Sequence, residues 1–177
     1  MKKLWLFLTI LPFVVTCGLG TASATSSSAT MAVTVTVASS VSLILQTDAS
    51  GMTLTGSGTS AVTAAFGTMS AYGGTVPTGV TKSVNAPLNW KISTPFDVIV
   101  AVANQTSATY TITAELQTAD STNTWQIGST TLIATSATTL TAVGAYGNTQ
   151  YTFNLTIPFS EAAGAISNTI NFVATAN

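Results

Sequence analysis

Alternation with a period of two narrows the folds open to this chain more than any other feature. In "ATMAVTVTVASSVSLIL", residues 29–45, Met31, Val33, Val35 and Val37 fall on one side and Thr34 and Thr36 on the other. Successive side chains of a strand point to opposite faces, so this spacing predicts a strand with one apolar face. The same parity continues through Val41, Leu43 and Leu45, and the small polar Ala38-Ser39-Ser40 predicts a break between the two runs. Similar alternation recurs at Leu88–Ile92, Tyr110–Leu116, Tyr151–Ile157 and Ile170–Ala174. Phe96–Val102 is a nearly continuous apolar run, which predicts a strand buried on both faces or a sandwich-core strand. Met52–Leu54 and Ala61–Phe66 read as short strands, and Trp125–Ile127 and Thr131–Ala134 as a hairpin across Gly128-Ser129. Ala71–Pro87 reads as the longest loop, and Gly164 limits Ser160–Ala165 to a loop or one turn. No helix of ordinary length is predicted. Eight to eleven short strands joined by Gly- and Asn-containing turns give an all-β expectation, an immunoglobulin-like antiparallel β-sandwich.

The first residues read as an export signal rather than as fold. Lys2 and Lys3 form a positive start, Leu4–Val15 an apolar stretch, and Ala22-Ser23-Ala24 a small-residue cleavage site. The expected division is a signal peptide over 1–24, a leader and candidate strand over 25–40, and a sandwich domain over 41–177. A rival reading makes Cys17 a lipid-bearing N-terminus, but Thr16 fits poorly where that motif takes Gly, Ala or Ser. The preferred setting is Gram-negative export of a free chain, secreted or held at the cell surface.

What the chain beyond residue 24 lacks removes whole classes of chemistry. It holds two cations, Lys82 and Lys91, five acids, and no Cys, His or Arg. No disulfide can form, and the commonest general base and metal ligand are missing. Two cations cannot track a phosphate backbone, so nucleic acid is excluded as a partner. The acids Asp97, Glu115, Asp120 and Glu161 show no spacing that would face two carboxyls across a cleft. Asp120-Ser121-Thr122-Asn123 lacks the regular acidic spacing of a calcium loop and reads as a turn. The expectation is no enzyme, no cofactor and no metal. The candidates for an exposed, sugar-stacking face are Tyr72, Trp125 and Tyr146, which lie near expected turns, whereas Trp90 shares the parity of Leu88 and Ile92 and reads as core.

Three stretches carry a resemblance: the alternation "AVTVTVASSVSL", the segment "AAFGTMS" around Phe66-Gly67, and the ending "AGAISNTINFVATA". Together they resemble spore-coat-U-type domains and the pilin-like domains of archaic chaperone–usher pili. The Cys that this family commonly carries after its first strand is replaced here by Val41 or Ser42. The resemblance implies a sandwich that lacks an edge strand, completed by a neighbour's N-terminal segment through β-strand addition. It implies self-assembly with copies of the chain or related subunits, with a periplasmic chaperone as a further partner. The donor would be Met31–Ala38, about 26 Å long at ~3.3 Å per residue. Burying Met31, Val33, Val35 and Val37 would contribute on the order of 6–12 kcal/mol before ordering costs. The same residues could instead pair within their own domain, and their parity does not separate the two cases. The functional expectation is a structural subunit of a bacterial surface fibre. The alternative is a stand-alone secreted sandwich that binds glycans or acts as an adhesive module.

Overall fold

A computed structural model describes residues 31, 32, 34, 41–102 and 107–177. The export signal, Cys17 and three of the four candidate donor residues, Val33, Val35 and Val37, lie outside the described residues; Met31 is described and 85% exposed.

Among the described residues, nine strands form two antiparallel sheets and there is no helix. They are β1 (Val41–Thr47), β2 (Thr81–Asn85), β3 (Asn89–Val102), β4 (Thr109–Leu116), β5 (Thr124–Ile127), β6 (Thr130–Thr131), β7 (Thr138–Ala145), β8 (Gly147–Pro158) and β9 (Ile170–Ala176). The large sheet runs β1-β3-β8-β5-β6, with β2 also on β3; the small sheet runs β7-β4-β9. The expected all-β sandwich is the architecture found.

One face of each central strand supplies the core. Ile92, Phe96, Val98 and Val100 of β3 meet Tyr110, Ile112, Ala114 and Leu116 of β4. Their spacing at every second residue is what puts them there, because a one-residue slip would turn every one of them outward. Each large apolar side chain so buried contributes about 1.5–3 kcal/mol. Tyr110 is wholly buried and reaches Thr149 with its hydroxyl at 3.4 Å. It fits only because Gly144 faces it: a Cβ there would lie 2.5 Å from the ring.

Four expectations need correction. Asn89–Ile92 and Phe96–Val102, read as separate strands, belong to one 14-residue strand, β3, which alternates as a sandwich-core strand and is not buried on both faces. The stretch expected as a long loop contains β2. Met52–Leu54 and Ala61–Phe66 are not strands; an isolated bridge joins Thr55 to Thr63. Trp90, read as core, is half-buried against it, and Leu88, which shares its parity, is 65% exposed at the turn that joins β2 to β3.

Candidate functional site: an open edge between β1 and β9

The small sheet has three strands, and β9 is its edge. Gln117 N–H donates to the Thr169 carbonyl at 2.8 Å, and Asn177 N–H donates to the Thr109 carbonyl at 3.1 Å. Residues 169 and 177 therefore turn their backbone groups toward β4, and strand alternation makes 171, 173 and 175 do the same. The groups of Ile170, Phe172, Ala174 and Ala176 point the other way, and no described strand pairs with that side of β9. The side chains of these four residues face the sandwich interior, yet all are only half-buried. On β4, the matching inward residues are fully buried. The difference means that one wall of the core is uncovered along β9.

Opposite β9 lies β1, the edge of the large sheet. Its outer side is partly occupied. Leu45 N–H donates to the Thr59 carbonyl at 2.8 Å, the Leu45 carbonyl accepts from Gly58 N–H at 2.9 Å, and Thr47 N–H donates to Ser57 Oγ at 2.8 Å. Segment 55–63 thus blunts the end of β1, whereas β9 keeps its full row of groups. An added strand would find its backbone partners on β9.

Between the two edges runs an apolar groove. A cavity of about 410 Å³ opens onto Phe96, Trp125, Phe153 and Leu155 of the large sheet. A second, of about 340 Å³, opens onto Leu43. They share Leu45, Val62, Ile170 and Phe172, so they form one continuous depression. Among the described residues, no charged side chain lines either cavity. Phe66 closes part of the floor, its ring 5.6 Å from that of Phe153. Apolar walls thus meet a row of unpaired backbone groups along one lip.

The ionisable groups nearby serve structure. Asp120 Oδ1 accepts from the N–H groups of Thr122 and Asn123 at 3.0 and 2.9 Å. Its Oδ2 accepts from Asn123 Nδ2 at 3.0 Å and from the indole Nε1–H of Trp125 at 2.7 Å. Partial burial pushes the carboxyl up, but these hydrogen bonds outweigh it and hold the pKa at about 2. Asp48 is held below its ordinary value by hydrogen bonds from the Ser50 hydroxyl, Gln150 and Ser50 N–H. Among the described residues, no three potential metal-ligating acids converge.

The three aromatics expected on one exposed face are not brought together. Trp125 is buried, 6% exposed, at the floor of the groove, because Asp120 satisfies its indole N–H and lets the ring turn inward. Tyr146 is half-buried, its ring 5.5 Å from Tyr110, with its hydroxyl donating to the Thr109 carbonyl. Only Tyr72 is exposed, at 66%. The strand residues of the groove lining, such as Phe96, Phe153, Leu155, Ile170 and Phe172, were foreseen as strand faces, whereas Val62 and Phe66 line it from a segment that is not a strand. Nothing in the sequence marked those faces as uncovered, since alternation reports burial and not which neighbour supplies it.

Comparison with family models, curated proteins and solved structures finds no match to this chain.

Proposed function

We propose that the protein is a non-catalytic structural subunit of a bacterial surface fibre. It is exported by its N-terminal signal, and its Met31–Ala38 segment completes the sandwich of the next copy or of a related subunit. The observation that carries this reading is the pairing of an open apolar groove with the unpaired edge of β9. The donor supplies what that site lacks. Its backbone would pair with Ile170, Phe172, Ala174 and Ala176, and Met31, Val33, Val35 and Val37 would enter the groove at every second residue. Before assembly, a periplasmic chaperone would cover the same edge.

Fibre geometry sets the direction of the added strand. Val41 pairs with Val102 at one pole of the large sheet, and Asn89 pairs with Pro158 at the other. The donor leaves its own domain at the Val41 pole. A linear fibre requires it to leave its host at the opposite pole, or two neighbours would compete for one end. β9 runs toward the Val41 pole, since Ala176 pairs with Tyr110 and Ile170 with Leu116. The donor therefore runs antiparallel to β9.

A glycan-binding reading has less support, because two of its three aromatics are turned into the structure. The test is a chain lacking residues 25–38. It should fail to polymerise, and a synthetic Ala29–Ser40 peptide should raise its melting temperature. A mature chain that stays monomeric at high concentration, even after unfolding and slow refolding, contradicts the proposal.

A further inference from the structure

The large sheet is longer than the small one. β3 and β8 have 14 and 12 residues, against 8 and 7 for β4 and β9. At the pole opposite Val41, the inner face of the large sheet runs on past the small sheet. The side chains on this overhang are apolar. Val84 pairs with Trp90, and Trp90 pairs with Ile157. Leu88 and Phe159 extend the same parity, and the Phe159 N–H donates to the Leu88 carbonyl at 3.2 Å. The 66–74 segment folds over this end. Lys82 Nζ pins it by donating to the Ser70 and Gly73 carbonyls at 2.9 and 2.7 Å. Tyr72 then stacks on Phe159, with ring centroids 5.5 Å apart and planes 13° apart. Tyr72, Leu88 and Val84 remain exposed, at 66, 65 and 40%. The one cation there is spent on carbonyls. The result is an apolar cap on one pole, joined to the groove through Phe66, which lies six residues before Tyr72 on the same segment.

We propose that this cap is the second half of the subunit joint, covered by the Val41 pole of the next copy. The inference rests on the strand-addition reading and adds a contact to it. Ser39 and Ser40 are the only residues between the donor, which ends at Ala38, and β1, which begins at Val41. Three residue steps span at most ~11 Å. A donor leaving the groove at the cap pole therefore brings the next domain directly against Tyr72 and Leu88. A patch of so few residues is too small to join two free copies, which need roughly 1,000 Å² or more. Tethered by the inserted strand, the same patch acts at the high effective concentration of an intramolecular contact. That explains why the cap is apolar and yet confined to a few side chains. The cap sets how firmly each joint is seated, while the groove sets whether a joint forms.

The experiment compares fibres of the exported full-length chain with fibres of Tyr72→Ser and Leu88→Ser chains, made singly and together. Both positions are exposed, so the variants keep their fold, and melting temperature checks this. Labelled Ala29–Ser40 peptide is titrated into preformed fibres, and displacement of the tethered donor is read as loss of polymer. The expected result is that the double variant dissociates at a peptide concentration at least about 10-fold lower than wild type. Leu88→Met should behave as wild type. Equal resistance in wild-type and variant fibres overturns the cap contact and leaves the groove reading standing. A wild-type chain that forms no fibres overturns both.

Discussion

The indole Nε1–H of Trp125 donates to Asp120 Oδ2 at 2.7 Å, which ties the floor of the groove to the turn before β5. Hydrogen bonds to an ionised acceptor are each worth about 1.5–3 kcal/mol. Solvent reaches this carboxyl in part, so the lower end applies. Asp120→Ala is expected to cost about 2 kcal/mol, read by chemical denaturation. The folded pKa, about 2, lies below the ordinary 3.8. The stabilisation is therefore full above pH 3.8 and lost as pH falls toward 2. An Asp120→Asn chain should show a flatter decline in stability across that acid window.

Gly144 and Tyr110 set a second expectation. A methyl group at 144 would press on a wholly buried ring. Gly144→Ala should destabilise by about 1–3 kcal/mol through overpacking. Calorimetry on the purified domain would show the fall in melting temperature.

Thr94 is 2% exposed and serves two backbone groups: its Oγ1 accepts from Met52 N–H at 2.9 Å and donates to the Gly79 carbonyl at 2.8 Å. Thr94→Val keeps the shape and strands both groups. A loss of about 2–4 kcal/mol is expected, with Thr94→Ser costing much less.

Phe172 and Val173 are adjacent on β9 but face opposite ways, one into the groove and the other 56% exposed. Phe172→Asp should abolish uptake of the Ala29–Ser40 peptide, because an unpaired charge would enter an apolar site. Val173→Asp should leave uptake within about 2-fold of wild type, as an exposed substitution does. Fluorescence anisotropy of labelled peptide measures both.

Sequence reading succeeded where one face of a strand is buried by its own domain. The alternation of Tyr110, Ile112, Ala114 and Leu116 is β4 as it stands. It failed where polar residues have unusual partners. The alternation at Leu88–Ile92 and the run at Phe96–Val102 read as separate strands, yet β3 runs on through Ser93-Thr94-Pro95 between them. The Thr94 hydroxyl bonds to backbone, and the Pro95 carbonyl faces Gly51, in the gap between β1 and β2. The Pro95 nitrogen lies on that same side, where no strand asks for a donor. β7 was not foreseen because its register against β4 shifts twice, which leaves Val143 exposed and Gly144 buried. The groove residues Ile170 and Phe172 showed the right parity. The open side of β9 left no trace in the pattern, because an edge is a property of neighbours and not of the strand itself.

Hydrogen exchange at β9 tests strand addition most directly. The amides of Ile170, Phe172, Ala174 and Ala176 point away from β4, while those of Asn171, Val173 and Thr175 point toward it. Exchange is compared between fibres of the mature chain and the monomeric Val35→Asp chain. The account predicts that the first set exchanges quickly in the monomer and slows at least about 100-fold in the fibre, as amides entering a sheet ladder do. The second set should be protected in both. Equal exchange of the first set in the two samples, whether fast or slow, would contradict the account.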